Sequence, residues 1–226
     1  MDKKRLTIKE IHENIEDRIS KISKEFRGGF EFIKKYPKSV SIFGSSRLSH
    51  DNKHYLDAKK LAEKIVKETG YSIITGGGPG AMESANMGAK EAGGASVGLN
   101  IKLPHEQRLN PFTTDSFQFE YFFTRKTMLT FSAEAYVFFP GGFGTFDELF
   151  GILALIQTSK IPHVPIILFG SDFWNEFRNF ISLNMLEKNH SIEAKDMDLF
   201  IISDSYDDVI EIIKNAPVSE WWKMMD

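Results

Sequence analysis

Residues 140–148, PGGFGTFDE, combine three glycines, a threonine and two acids directly after the apolar run AYVFF. Glycine lets backbone N–H groups approach a phosphate closely, especially at the N-terminus of a helix. A carboxylate beside such a site would repel the phosphate, so it is better placed to act on a ribose. The spacing Thr145-x-x-Glu148 also fits a capping box, which would be a purely structural role. This stretch alone leaves both interpretations open.

A second glycine-rich stretch, TGGGPGAMESANMGAKEAGG, follows another apolar run. The spacing Gly76-x-Gly78-x-x-Ala81 loosely matches the dinucleotide-binding fingerprint, and we expect Gly77 and Gly78 to lie near a bound phosphate. The next segment, ASVGLN, has no acid that could bind the ribose of NAD. The sequence therefore favours a nucleotide site but not an NAD site.

Two further polar segments could face a ligand. In IFGSSR, Gly44 permits a tight turn, and Ser45 offers a hydroxyl and a backbone N–H; a plain serine-rich turn is the alternative. In LPHEQRLNPF, Glu106 could face a ligand or pair with the arginine two residues later. The sequence does not decide between these alternatives.

Arg125 and Lys126 follow an aromatic run in YFFTRKTML, near an expected helix start. Cations at that position oppose the helix dipole, and such a local conflict is typical of a functional site. The planar guanidinium of arginine can bind phosphate with two parallel hydrogen bonds. An ordinary surface pair is the alternative.

Helical patterns separate most of six short apolar runs in the rest of the chain. The runs are SVSIF (39–43), YSIIT (71–75), ASVGL (95–99), AYVFF (135–139), PIILF (165–169) and LFIIS (199–203). Each is typical of a strand buried on both faces. Strands that alternate with helices predict a doubly wound, mainly parallel α/β sheet of the Rossmann-like type. In such folds ligands bind beyond the carboxyl ends of the strands, which is where the candidate segments lie.

Residues 1–37 predict a helical extension before this domain. Isoleucine and phenylalanine recur at steps of three and four from Ile8 to Ile33, which predicts one apolar stripe, with a potential break at Gly28-Gly29. We expect the stripe to pack on the domain body or on a partner subunit. Residues 38–226 are predicted to form a single domain, because no repeat, low-complexity tract or linker divides them.

Composition excludes several classes of function. The 226 residues carry a formal net charge of -3, so no overall attraction to nucleic acid or anionic membranes is expected. No apolar stretch approaches the roughly 20 residues that cross a bilayer, and the start of the chain lacks the apolar segment of a secretory signal. The absence of cysteine excludes disulfides, zinc–thiolate sites and thiol nucleophiles. These features fit a cytoplasmic protein.

Taken together, GGGPGAMESA, FFTRKTML and PGGFGTFDE resemble motifs of the LOG (Lonely Guy) family, which is often labelled as lysine decarboxylase. The resemblance covers residues 38–190 and is closer to the longer bacterial branch than to the short plant-type enzymes. Family members are phosphoribohydrolases, which cut the N-glycosidic bond of nucleoside 5′-monophosphates to give free base and ribose 5-phosphate. AMP and cytokinin nucleotides are their usual substrates. The resemblance implies this reaction and not a decarboxylation.

The resemblance also implies roles for individual residues. Arg125 and Glu148 match the catalytic arginine and glutamate of the family. A fixed carboxylate can stabilise an oxocarbenium-like transition state, hold the ribose hydroxyls or activate water. No step demands a metal ion or a cofactor. The expected substrate-binding residues are Gly44, Ser45, Gly77, Gly78, Glu106, Lys126, Gly141, Gly142, Gly144 and Thr145.

An alternative is a non-catalytic protein of the same fold that binds a nucleotide or a nucleotide-like cofactor. Related proteins that carry molybdenum cofactor have similar folds. LOG-like proteins also pair, so a homodimer is expected from the resemblance. The preferred base and the physiological role, cytokinin activation or nucleotide salvage, stay open at this point.

Overall fold

The computed structural model describes Thr7 and residues 14–102 and 109–216. Within them one sheet contains the strands β1 (Ser39–Phe43), β2 (Ser72–Thr75), β3 (Ser96–Ile101), β4 (Asp115–Phe119), β5 (Ala135–Phe138), β6 (Ile166–Phe169) and β7 (Ile201–Ser203). The α-helices are α1 (Ile15–Ile33), α2 (Lys53–Thr69), α3 (Ala81–Glu91), α4 (Phe122–Thr130), α5 (Phe143–Gln157), α6 (Ser171–Phe180) and α7 (Tyr206–Asn215). A π-helical stretch, Ile181–Lys188, continues α6, and a 3₁₀-helix, Ala194–Asp198, precedes β7. None of the described helices combines the length and the apolar character that crossing a membrane requires.

The strand order across the sheet is β4-β3-β2-β1-β5-β6-β7, and every neighbouring pair is parallel. This confirms the doubly wound, parallel α/β fold predicted from the sequence. The order runs outward in both directions from β1 and β5, where Val40 lies opposite Ala135 and Phe43 lies opposite Phe138. The carboxyl ends of these two central strands are therefore the point at which the strand order reverses. Folds of this kind bind ligands there.

Apolar side chains cover both faces of the sheet. The core beneath α1, α4, α5 and α6 includes Phe43, Leu99 and Phe138 from the strands. The core beneath α2, α3 and α7 includes Val40, Ile42 and Val137. Full burial of one such side chain contributes roughly 1.5–3 kcal/mol to the free energy of unfolding. Because β1 and β5 contribute to both cores, packing fixes the two strand ends that lie beneath the candidate site.

The sequence predicted six of the strands and missed β4. Along β4 the residues alternate between half-buried and exposed, and Phe119 is fully buried. The strand lies at the edge of the sheet and pairs with β3. It therefore does not form the continuous apolar run by which the other six were found.

Helix α1 continues without interruption through Gly28 and Gly29, so the potential break between them is not realised. Close packing explains these glycines. A Cβ on Gly29 would lie 2.8 Å from Cγ of Met128 in α4, and a Cβ on Gly28 would lie 3.1 Å from the ring of Phe117 in β4. Glycine weakens a helix by about 1 kcal/mol relative to alanine, but here it allows α1 to lie directly against its neighbours.

The apolar stripe of the N-terminal extension, whose described helix α1 is called the leader helix below, covers the domain body only along part of its length. Ile33 is fully buried, whereas Ile15 and Ile19 are 46% and 52% exposed. Ile8 and Ile11, which were predicted to continue the stripe, lie outside the described residues. The buried residues of α1, Gly29, Phe32 and Ile33, thus lie in its C-terminal half.

Candidate functional site

A cleft of about 750 Å³ opens at the carboxyl ends of β1 and β5. The segment after β1, the residue Gly76 after β2, one side of α4 and the first two turns of α5 form its walls. Its charged lining residues are Arg47, Arg125, Asp147 and Glu148. The fold therefore brings together groups that lie far apart in the sequence.

Helix α5 begins at Phe143, with Gly142 as its N-cap residue, and no side chain caps it. Thr145 is thus the third helical residue and Glu148 the sixth, so the two do not form the capping box that their spacing allowed. The N–H groups of Phe143, Gly144 and Thr145 have no acceptor within the helix. They form the positive end of the helix dipole at the cleft, where a phosphate can bind.

Three glycines, Gly141, Gly142 and Gly144, lie before or within the start of α5, and different structural features account for each position. A Cβ on Gly141 would lie 2.1 Å from Oγ1 of Thr145, so Gly141 makes room for that side chain and is not part of the cleft lining. Gly142 and Gly144 do line the cleft. A Cβ on either would meet nothing within 4 Å, and neither has a positive φ. Packing and backbone conformation do not require glycine at these two positions, whereas close approach of a ligand would.

Glu148 is 8% exposed, yet its Oε2 has no hydrogen-bond partner among the described residues. Burial raises the pKa of Glu148 to about 7, although the charges of Arg125 and Lys126 oppose this shift. An unsatisfied buried polar group costs roughly 1–3 kcal/mol of stability. A carboxyl kept at such a cost in a cleft, with a pKa near neutrality, is typical of a group that acts on a ligand or transfers a proton.

Arg125 is anchored to the backbone of two strand segments. Its Nε donates to the carbonyl O of Leu99 at 2.7 Å, and its Nη2 donates to that of Gly76 at 3.4 Å. A Cβ on Gly76 would lie 2.2 Å from Nη2, so this glycine leaves room for the guanidinium. Burial lowers the pKa of Arg125 and the charge of Glu148 raises it, but a guanidinium stays protonated in proteins. Arg125 therefore provides a fixed positive charge in the cleft.

Lys126 connects α4 to α5 and is not part of the cleft lining. Its Nζ lies 2.7 Å from Oδ1 of Asp147 and donates to the carbonyl O of the same residue at 2.8 Å. A Cβ on Gly151 would lie 2.8 Å from Cε of Lys126, so the lysine side chain lies along α5. The ion pair partly neutralises the acid next to Glu148, which reduces its repulsion of an anionic ligand.

The segment after β1 is bound to the segments after β5 and β2. The N–H of Ser45 donates to the carbonyl O of Pro140, and the N–H of Ala81 donates to the carbonyl O of Ser45, both at 3.0 Å. A Cβ on Gly44 would lie 2.6 Å from that of Ala81, so glycine is required for this contact. The hydroxyl of Ser45 accepts the N–H of Arg47 at 3.1 Å in a local turn. Gly44 and Ser45 both line the cleft, and their contact with a ligand stays a prediction.

Gly77 and Gly78 lie outside the cleft lining. Gly77 has a φ of +71°, and its N–H donates to Oγ1 of Thr75 at 2.9 Å. Its carbonyl O accepts the N–H of Asn110 at 2.9 Å, and that of Gly78 accepts Nδ2 of Asn110 at 3.1 Å. These glycines thus build the turn after β2 and hold the segment before β4. Glu106, a predicted ligand contact, lies outside the described residues.

Several side chains that line the cleft were not singled out from the sequence, among them Arg47, Met82, Phe122 and Phe143. Arg47 is exposed, and its guanidinium forms no ion pair with any described residue. The sequence feature that could have pointed to Arg47 is its position shortly after a strand, following two serines. Phe143 is 98% exposed, so packing within the described chain does not explain it. The sequence feature that could have pointed to Phe143 is its position between two glycines.

The cleft offers the chemistry of anion binding. Free amide groups of α5 and the two arginines supply positive charge. Over residues 14–102 and 109–216, no three His, Asp or Glu side chains come together in a group that could hold a metal ion. An anionic organic ligand with a part that the Glu148 carboxyl can act on is the class that fits.

A family model described as "Possible lysine decarboxylase", the label carried by LOG proteins, matches residues 82–213, which is more than half of the chain. The chain belongs to the LOG family. The match includes the whole of α4 and α5, so Arg125, Glu148 and the three glycines of residues 141–144 of this LOG protein all lie within it.

Two relatives of this LOG protein are similar over most of their own lengths. An uncharacterized protein of Archaeoglobus fulgidus is 28% identical over 134 residues, which cover 58% of this chain and 83% of the relative. A protein of Mycobacterium marinum named cytokinin riboside 5′-monophosphate phosphoribohydrolase is 26% identical over 176 residues, which cover 76% of this chain and 91% of the relative.

The LOG protein also shares its fold with the molybdenum cofactor binding protein of Rippkaea orientalis. The TM-score is 0.56 at 24% identity, and the match covers 78% of this chain and 95% of the other. At this identity the likeness is one of fold alone. It shows that the same architecture occurs in a protein named for binding a cofactor.

Proposed function

We propose that this LOG-family protein is a phosphoribohydrolase that cleaves nucleoside 5′-monophosphates into free base and ribose 5-phosphate. AMP and cytokinin riboside 5′-monophosphates are the proposed substrates. The observation that carries the proposal is the buried, unpartnered carboxyl of Glu148 in the same cleft as Arg125 and the uncapped start of α5. The name of the Mycobacterium marinum relative supports this class of reaction.

The start of α5 is the proposed phosphate site. Gly142 and Gly144 leave the backbone open to the 5′-phosphate, and the free N–H groups of the first turn donate to its oxygens. Glu148 follows Thr145 by three residues, which is roughly 4.5 Å along the helix axis. This offset separates the carboxyl from the phosphate by about the reach of a ribose. Phosphate binding then supplies remote binding energy that orients the scissile bond.

Glu148 and Arg125 are the proposed catalytic residues. Water attacks C1′ of the ribose while the bond from C1′ to the base nitrogen breaks, and the electron pair leaves with the base, which takes up a proton. The ionised Glu148 stabilises the positive charge that develops on the sugar and accepts a proton from the attacking water. Arg125 holds the substrate through Nη1, the guanidinium nitrogen that its two backbone contacts leave free.

Chromatography of nucleotides after incubation with the protein tests the proposal. AMP, GMP, CMP, UMP and isopentenyl-AMP are incubated with wild type, Glu148→Ala and, as a control, Glu176→Gln, which changes an exposed acid of α6. We expect free base from wild type and from the control but not from Glu148→Ala, and little base from adenosine, which lacks the phosphate. If the nucleotides stay intact after incubation with folded wild-type protein, the proposal is wrong.

A second candidate function is binding of a nucleotide or a nucleotide-like cofactor without hydrolysis, which the fold shared with the Rippkaea orientalis protein favours. The phosphate site at α5 would serve either function. A carrier of an anionic ligand gains nothing from a buried carboxyl, so Glu148 separates the two. If the protein is a carrier, Glu148→Ala binds the nucleotide at least as tightly as wild type, and wild type returns the nucleotide intact after long incubation.

A homodimer and a cytoplasmic location are part of the proposal. Exposed apolar side chains on the leader helix and in the cleft lining, including Ile15, Ile19 and Phe143, support pairing of two chains. Light scattering coupled to size-exclusion chromatography measures the mass against 25.8 kDa for one chain. A mass of one chain at assay concentrations would contradict the dimer.

A further inference from the structure

The start of helix α4 has no cap of its own. Its N-cap residue, Tyr121, contributes no side-chain cap, and no acid lies in the first turn. Instead Arg125 occupies the fourth helical position, where its positive charge meets the positive end of the helix dipole. Local sequence thus leaves α4 with free N–H groups and an unfavourable charge at the end that carries the cleft arginine.

Glu25 of α1, from a distant part of the chain, supplies an anionic cap that binds the two residues before α4 and the hydroxyl of its third residue. Its Oε1 accepts the N–H of Glu120 at 2.6 Å, and its Oε2 accepts the N–H of Tyr121 at 3.3 Å. The hydroxyl of Thr124, the residue just before Arg125, also donates to Oε2. One carboxylate therefore binds the backbone that leads into α4 and the third residue of the helix.

The leader helix is held in place for this contact along the length of α4. The guanidinium of Arg18 lies 5.8 Å from the centroid of the Tyr121 ring. The ring centroids of Phe26 and Phe123 are 6.3 Å apart, and farther along α1 the backbone of Gly29 meets Met128. Contacts on both sides of Glu25 thus fix the position of its carboxylate.

We propose that Glu25 is a positioning residue for Arg125, and that the leader helix is thereby a working part of the cleft. The proposal rests on the proposed function for its kinetic consequence. Arg125 is fixed at its guanidinium by the carbonyl groups of Leu99 and Gly76, and at its backbone by the first turn of α4 that Glu25 caps. Without the carboxylate the first turn loses its anionic cap, and the arginine no longer meets the substrate at a fixed angle.

Two readouts test the proposal in the full-length protein. The first is the NMR ¹⁵N–¹H signal of Arg125 Nε, which is assigned by its loss in Arg125→Lys. This signal reports the hydrogen bond to Leu99 and does not depend on enzymatic activity. The second is the kinetics of AMP cleavage. The matched control is Glu31→Ala, because Glu31 also lies on α1 and its side chain bonds Lys34 at 3.5 Å on the helix surface.

In Glu25→Ala we expect the Arg125 Nε signal to shift and to exchange faster with water. We expect kcat/KM to fall by about tenfold to 100-fold, the effect of a misplaced catalytic group. Glu25→Gln keeps one acceptor oxygen without the charge, so an intermediate loss is expected, and this variant also serves if the alanine variant does not fold. In an Arg125→Ala background, Glu25→Ala should cost no further activity.

An unchanged Arg125 signal in folded Glu25→Ala, or equal losses in Glu25→Ala and Glu31→Ala, would overturn the positioning role. Full additivity of the Glu25 and Arg125 substitutions would overturn it as well. Inactive wild type with the expected signal changes would reject the hydrolase but support the positioning of Arg125. The two proposals can therefore fail separately.

Discussion

Arg125 and Glu148 lie in the same cleft without forming an ion pair. The arginine is bound to the carbonyl O of Leu99, and Oε2 of the glutamate has no partner among the described residues. Their charges nevertheless interact. Burial raises the pKa of Glu148, and the positive charge of Arg125 lowers it. Two fixed groups of opposite charge with open space in the cleft can hold a substrate between them.

The first prediction concerns the pH dependence of AMP cleavage. We expect kcat/KM to rise with pH through a midpoint near the Glu148 pKa of about 7, because only the ionised carboxyl can accept a proton and stabilise the sugar cation. The phosphate of AMP itself titrates near pH 6. The profile is therefore compared with the pH dependence of AMP binding to Glu148→Gln, in which residue 148 does not titrate and the phosphate titration remains. A wild-type midpoint at the ordinary carboxyl value would contradict the assignment.

The second prediction concerns stability. The folded-state pKa of Glu148 lies at about 7, above its ordinary value of 4.5, so between these values the folded protein holds a proton that the unfolded chain has released. The free energy of unfolding therefore falls as the pH rises through this window, by ~3 kcal/mol for a shift of this size. We expect Glu148→Gln to be more stable than wild type above pH 7, and close to it at the acidic end of the window.

Urea denaturation at both ends of that window measures the difference. Glu176→Gln, on an exposed surface of α6, serves as the control and should follow wild type at each pH. A Glu148→Gln variant no more stable than wild type above pH 7 would show that burial of the carboxyl is not the dominant influence.

The third prediction separates two neighbouring glycines. Gly144 lies in the first turn of α5 and a Cβ there meets nothing, so Gly144→Ala should leave stability unchanged or raise it by up to ~1 kcal/mol. The same methyl group would obstruct the phosphate, so KM for AMP should rise by about tenfold. Gly141→Ala would instead collide with Thr145 and should lower the melting temperature. An unchanged KM in Gly144→Ala would exclude the start of α5 as the phosphate site.

The fourth prediction assigns Arg47 to substrate binding. Arg47 lines the cleft, and its guanidinium has no ion-pair partner among the described residues. A hydrogen bond to a charged group contributes about 1.5 kcal/mol or more, so Arg47→Ala should raise KM for AMP by about tenfold. Arg178→Ala removes an exposed arginine of α6 and serves as the control. Similar KM values for both variants and wild type would exclude a contact of Arg47 with the substrate.

Continuous apolar runs and their alternation with helices were enough to predict the fold, because a parallel sheet buries both faces of its strands. β4 was missed since an edge strand half exposed to solvent lacks such a run. The glycines of α1 were read as a potential break, because the sequence does not show that Met128 and Phe117 pack against them.

The cleft lining was predictable where a residue follows a strand, as do Gly44, Ser45, Gly142 and Gly144. The separate reasons for Gly141 and Gly144 were not predictable, because they depend on where α5 begins. Nor does the sequence show that Lys126 bonds to Asp147 or that Glu25 reaches α4, since each contact joins elements whose relative orientation packing alone decides.

The order of the strands has a consequence for how the protein folds. Every neighbouring pair in the sheet joins strands that are consecutive in the chain, except β1 and β5, where Val40 meets Ala135. That pairing closes the longest loop and carries the largest closure entropy, so we expect it to form late. The cleft lies directly above it and can exist only after the two halves of the sheet have joined. Ligand binding during refolding would therefore report the completion of this long-range step, after both halves have acquired their own helices and strands.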